Sequence, residues 1–227
     1  YISTLMSVFV NVEIYVGICC AIDNSPIRYA LIQIFVITKS NPSERTCDNL
    51  DMEFQIPALD GEDLYNVFFQ LRLDHPEIFW MTGYKYKYYQ DSPNLIFVPE
   101  YLFDKNKIRE HQRAMSSRVE KLARAAKDLS EWYVHDFICE NVHYDKLKKP
   151  YSHEIIGPLG QGVGVCEGIA KSVKVLCDAL GIWCMIAVCG NNPEKGIKYR
   201  HTWNIVKIGG TYYHLDATFD NTLGKHS

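Results

Sequence analysis

The sequence predicts an α+β fold in which a helix with a cysteine in its first turn packs on an antiparallel β-sheet. Three observations predict it. A glycine-rich loop, Gly160-Gln161-Gly162-Val163-Gly164, runs into Cys166 and then into an amphipathic stripe of Ile169, Val173, Leu176 and Leu180. Further on, His201–Ile208 and Thr211–Asp216 are β-rich runs joined by Gly209-Gly210, a two-residue hairpin turn. Helix-periodic and strand-periodic segments are also mixed in the first half of the chain.

Composition bounds the answer. With 227 residues, 47% hydrophobic and 13% aromatic, the chain can bury a substantial core, which excludes an intrinsically disordered protein. A net charge of −3 offers no basic face to nucleic acid or anionic lipid. Leu5–Ile22 comes nearest to a membrane span, but Asn11 and Glu13 stand at its centre, where a carboxylate is costly in hydrocarbon. The chain reads as a soluble globular protein. Of its eight cysteines, Cys19 and Cys20 are adjacent and Cys177, Cys184 and Cys189 lie in apolar segments, the pattern of buried thiols in a reducing, cytoplasmic compartment. The first residue is Tyr1 rather than a methionine, so an upstream segment is expected to be missing.

In chain order, Val8, Val10, Val12, Ile14, Val16 and Ile18 alternate with Asn11, Glu13 and Gly17, a half-buried strand. Asp23-Asn24-Ser25-Pro26 is turn chemistry before a second β-rich run, Arg28–Thr38. A hairpin follows from this reading, with a pair of buried helices as the alternative. Residues 39–53 are polar and read as a linker. Asp60 can cap a helix through Leu64, Val67, Phe68 and Leu71, ending at His75-Pro76 because the residue before proline avoids helical backbone. Tyr84, Tyr86, Tyr88 and Tyr89, then Leu95–Val98, read as strands whose tyrosines pack between sheet and helix. Asp104 opens a long helix striped by Ile108, Met115, Val119, Leu122 and Ala126, with Arg109, Arg113, Arg118 and Lys121 as its wet face. A second helix spans Leu129–Glu140, and residues 145–164 read as a loop. The expected organisation is an N-terminal appendage over 1–55, an α/β lead-in over 56–128, and a core over 129–227.

The chemistry sits in that core. Unpaired N–H groups at a helix start stabilise a thiolate and can hold a developing oxyanion, so Cys166 is placed to be nucleophilic. Taken alone, a cysteine in this position is more often a buried, inert thiol. The hairpin adds the rest. His201 begins its first strand and Asp216 ends its second, so the two become neighbours, as a base and its orienting carboxylate must be.

These residues carry a resemblance. Gly164-Val165-Cys166-Glu167-Gly168-Ile169-Ala170-Lys171, His201-Thr202-Trp203-Asn204-Ile205-Val206 and Tyr212-Tyr213-His214-Leu215-Asp216, in that order, resemble the transglutaminase-like superfamily of papain-like cysteine acyl-transferases and proteases. The likeness runs from about Leu129 to Asn221, and Asp74–Trp80 is similar to the N-terminal region of bacterial members. By position it implies Cys166 as nucleophile, His201 as general base and Asp216 as the residue orienting His201. It implies a papain-like core and a protein or peptide substrate; no cofactor and no metal are expected from the residues. Two departures stand out: Ile169 replaces a common aromatic, and His201-Thr202-Trp203 replaces His-Ala-Trp. The chain also ends soon after Asp216, which reads as a C-terminally truncated core. The implied reaction is acyl transfer through a thioester, read as amide or peptide hydrolysis. The alternatives are a protein-glutamine transglutaminase and a non-catalytic binding module that keeps the fold.

Other side chains are weaker candidates. Gln161, Glu167, Trp203 and Asn204 are taken as possible oxyanion or cleft residues, although Gln161 reads as a loop residue facing water, Trp203 as a shield, and Asn204 as a hairpin anchor. His214 reads as ordinary strand packing. His135, Cys139 and His143 have the spacing of one helix face, but Asn141 and Tyr144-Asp145 end the helix before His143, which argues against a metal site. No acidic calcium-binding loop is present.

Overall fold

A computed structural model describes residues 53–126, 132–190 and 200–223, together with Ala30 and Ile34. The strand and hairpin expected before residue 39 lie otherwise outside the described residues. Ala30 and Ile34 are themselves helical and buried, so the second expected run is helical at those two positions. The chain divides into two compact units between Arg113 and Ala114.

The first unit holds β1 (Phe54–Pro57), α1 (Gly61–Asp74), β2 (Met81–Lys87) and β3 (Asn94–Tyr101). Asp60 caps α1, accepting from the Asp63 N–H at 2.8 Å, and the helix stops at His75 before Pro76, as the capping and proline signals predict. The strands form an antiparallel sheet in the order β1-β3-β2. Phe68 of α1 meets Tyr84 edge-on at 4.8 Å, and Tyr84 stacks on Phe97 of β3 at 5.2 Å. Burying side chains such as Phe97 and Leu71 contributes roughly 1.5–3 kcal/mol each. The tyrosine expectation needs correcting here: Tyr84 packs, while Tyr86, Tyr88 and Tyr89 stand exposed. The strand ends at Lys87, so the last two have no sheet face to share.

Next comes α2 (Lys105–Ala126), whose first N–H groups at Asn106 and Lys107 bond to the Asp104 carboxylate. The second unit continues with α3 (Tyr133–Asn141), β4 (His143–Tyr144), β5 (Val163–Gly164), α4 (Cys166–Ala179), β6 (Cys184–Cys189), β7 (His201–Ile208), β8 (Thr211–Leu215) and α5 (Ala217–Leu223). Strands β6, β7 and β8 make an antiparallel sheet, and α4 packs on β6 and β7 through buried Ile169, Val173 and Leu176. The fold is α+β, with the cysteine helix lying on the antiparallel sheet. Gly209 and Gly210 take φ of 56° and 85°, the left-handed pair that a tight hairpin turn requires, and Ile208 faces Thr211. Helix α4 ends in a Schellman closure: Gly181 turns at φ 72°, and Ile182 N–H bonds to Cys177 O at 2.9 Å. Among the described residues no helix is long and apolar enough to cross a membrane.

Residues 145–164 depart from the loop expectation. They contain a 3₁₀ turn, Pro150–His153, and a π-helical segment, Ile156–Gln161, before β5 pairs in parallel with β4. The polar composition hid a short apolar run in which Ile155, Ile156 and Leu159 are buried. Gly157 makes the compactness possible: a Cβ there would lie 2.6 Å from Tyr151 O and 2.7 Å from Val163 O.

Candidate active site

The site begins with how α4 starts. Val165 is extended and its N–H bonds to Ser152 O at 3.0 Å, which fixes the chain against the 3₁₀ turn just before Cys166. At Gly168 the two segments approach so closely that a Cβ would lie 2.2 Å from Ser152 O. Lys171, fully buried, then ties α4 to the same turn through Glu154 at 2.9 Å, and bonds Glu167 at 2.9 Å. Asn204 of β7 donates to Ala170 O at 2.9 Å, locking the helix to the strand that carries His201. The sulfur and the imidazole are thus held by separate elements that are bonded together one turn further along α4.

His201 Nε2 lies 2.6 Å from Asp216 Oδ2. With Nε2 committed to the carboxylate, Nδ1 is the nitrogen left for sulfur. The other Asp216 oxygen accepts from Phe219 N–H at 3.0 Å, so the residue that holds His201 also caps α5. Its own position is therefore fixed. Trp203 stacks on the His201 ring at 5.9 Å between centroids, and its indole N–H donates to His214 Nδ1 at 2.9 Å.

Electrostatics follow from this geometry. Burial is the largest influence on Cys166 and pushes its pKa up. The His201 hydrogen bond and charge, with the backbone N–H groups of Thr202 and Glu167, act the other way and leave the thiol below its ordinary value. His201 is raised to about 10, first by Asp216 and then by Cys166, against an opposing effect of burial. Both shifts act in the direction of a thiolate beside an imidazolium.

Residues 112–217 match the family model of the transglutaminase-like superfamily. This segment is transglutaminase-like. Among solved structures, a TGase crystal structure is 13% identical, with 61% of this chain and 44% of that chain covered at a TM-score of 0.37. A "Putative Cysteine Protease" from Cytophaga hutchinsonii is 19% identical, with 60% and 61% covered at a TM-score of 0.37. The chain spans less than two thirds of either. No curated protein matches.

Within the transglutaminase-like segment, the weaker candidates separate. Gln161 is exposed at the end of the π-helical segment and is not among the groups acting most strongly on the sulfur. Glu167 turns its carboxylate to Lys171 and to His153 at 3.2 Å, so its backbone N–H, not its side chain, serves the sulfur. Asn204 is buried and its amide donates to Ala170 O and contacts Cys184 Sγ. Trp203 does cover the imidazole. Helix α3 ends at Asn141 and His143 lies on β4, and among the described residues no group of three or more His, Cys, Asp or Glu is placed to hold a metal ion.

Sequence reasoning missed Tyr144. Its backbone pairs with Gly164, two residues before Cys166, and its phenol is raised by burial first and then by the charge of Cys166. The signal that could have found it is the Gly162-Val163-Gly164 stretch, which has the residues for close backbone pairing.

Proposed function

We propose that Cys166, His201 and Asp216 are a catalytic triad for acyl transfer at amide bonds, used for hydrolysis. What supports this reading is the His201 imidazole held by Asp216 at 2.6 Å, together with the downward pull of the His201 charge on the Cys166 sulfur at the first turn of α4. The sulfur attacks an amide carbonyl and forms a thioester; His201 gives its proton to the leaving amine. Backbone N–H groups at the start of α4 are the natural donors to the oxyanion that forms between these steps. A water molecule, deprotonated by His201, then attacks the thioester and frees the acid. Asp216 keeps the imidazole oriented and stabilises its charge throughout.

Water is favoured over an amine because the pair is open. The His201 side chain is 37% exposed and Asp216 27% exposed, so water reaches the base that would activate it. An amine would need a bound orientation to compete with water at about 55 M. The test is mass spectrometry of a peptide library incubated with the full chain, with and without a fluorescent primary amine. Cleaved or deamidated peptides that vanish with Cys166→Ala are expected. Stable amine incorporation with little hydrolysis would make the protein a transglutaminase. Neither product, from a chain whose Cys166 is intact and folded, would favour the binding-module alternative.

A further inference from the structure

A second thiol–imidazole pair stands apart from the first. On α3, Cys139 Sγ lies 3.5 Å from His135 Nε2, one turn away on the same helix. That nitrogen is also 3.1 Å from Asp220 Oδ2 of α5, while His135 Nδ1 is 3.0 Å from Asp136 Oδ1. Both ring nitrogens therefore face carboxylates. A carboxylate accepts only, so both contacts are satisfied together only when both nitrogens carry protons, as in the imidazolium. The pKa of His135 agrees: it is raised to about 9, first by the Cys139 hydrogen bond, against burial, and then by Asp136 and Asp220. The Cys139 thiol contacts Ala217 O at 3.8 Å, and Asn221 Nδ2 fixes the Cys139 carbonyl at 2.9 Å. Cys139 is half-buried and the His135 side chain is 22% exposed, so the pair lies near the surface rather than in the core.

We propose that Cys139 is a modification site for hydrogen peroxide, served by His135 as proton donor. The sulfur attacks one peroxide oxygen, so the S–O bond forms as the O–O bond breaks. Sulfur loses two electrons and peroxide gains them. The departing hydroxide takes the His135 proton and leaves as water, and the thiol's own proton restores the imidazolium. The product is a sulfenic acid on Cys139. The site shares α5 with the first: Asp216 caps that helix and Asp220 lies one turn along it, each holding one of the two imidazoles. The proposal does not rest on the reaction assigned to Cys166.

The experiment uses the full chain carrying Cys166→Ser, which removes the competing nucleophile. It is exposed to hydrogen peroxide at neutral pH with dimedone present, and adducts are mapped by peptide mass. The Cys139 adduct is expected to form on the order of 10-fold faster than adducts on Cys177 and Cys184, and to slow by a similar factor in His135→Gln. No Cys139 adduct, or equal rates in the Cys166→Ser parent and its His135→Gln derivative when the latter melts normally, overturns the proposal. If His135→Gln fails to fold, Asp136→Asn/Asp220→Asn decides. It keeps the ring and removes the carboxylates, so an unchanged Cys139 rate overturns the proposal and a slowed one supports it.

Discussion

Cys166 shows how one residue's chemistry is set by its neighbours. Burial alone would keep its sulfur protonated, and the net shift is downward only because His201 and two backbone N–H groups act together. Iodoacetamide alkylation of Cys166 should therefore rise with pH at a midpoint below the roughly 8.5 of a free thiol, because the thiolate forms early beside the imidazolium. Asp216→Asn removes the leading cause of the raised His201 value, so the imidazolium is lost at lower pH and the thiol midpoint should move back up. Amide turnover should fall by about 10²–10⁴ in the same variant, as expected when a base loses its orienting partner. Peptide-mapped labelling against pH checks the first expectation, and an unchanged midpoint in Asp216→Asn would remove that residue from the site. His135 shows how a pair can be missed in sequence. Its spacing from Cys139 suggests a metal face, whereas the partners that matter, Asp220 and Ala217, lie some 80 residues away on α5.

Elements whose signals are local were legible. The α1 cap at Asp60, the α4 stripe and the Gly209-Gly210 turn each depend on residues within a few positions of one another, so period and turn chemistry sufficed. The fold over 145–164 rests on side-chain bonds that follow no helix or strand period, and its lysines, prolines and glycines concealed it. There Asp145 accepts from Leu147 N–H at 2.9 Å, Lys149 N–H at 3.0 Å and the Ser152 hydroxyl, and Ser152 O in turn holds Val165 beside Cys166. Gly168 is where this packing is most sensitive. In Gly168→Ala the new Cβ would meet the Ser152 carbonyl at 2.2 Å, a backbone atom that cannot swing aside. Overpacking of this kind costs about 1–3 kcal/mol, and the displaced α4 start should slow Cys166 labelling as well. Urea denaturation and labelling on the same sample check both; normal stability with normal labelling would show that the turn yields freely. Lys171→Met strands Glu154 without its buried partner and should cost about 3–5 kcal/mol by the same denaturation assay.

For the molecule as a whole, both histidine pairs make stability depend on pH, and the sign is fixed by the direction of their shifts. His135 and His201 are raised from 6.5 to about 9 and about 10 in the folded protein. The folded state therefore binds more protons than the unfolded chain throughout that interval, and stability falls as pH rises through it. Their contribution is complete below about pH 6.5, where both states are protonated, and is gone above about pH 10. Cys166 works in the opposite sense: its lowered value contributes stability above the ordinary thiol pKa and loses it as pH falls through the folded value. The sulfur's contribution thus offsets part of the histidines' loss in the alkaline range. Urea midpoints measured from pH 6 to pH 10 should decline for the wild type across that interval. In His135→Gln the decline should be shallower, with the difference from wild type largest at the acid end and vanishing above about pH 9. A difference that grew toward alkaline pH would mean that His135 is neutral in the folded protein, and with it the imidazolium assigned to the Cys139 pair would be lost.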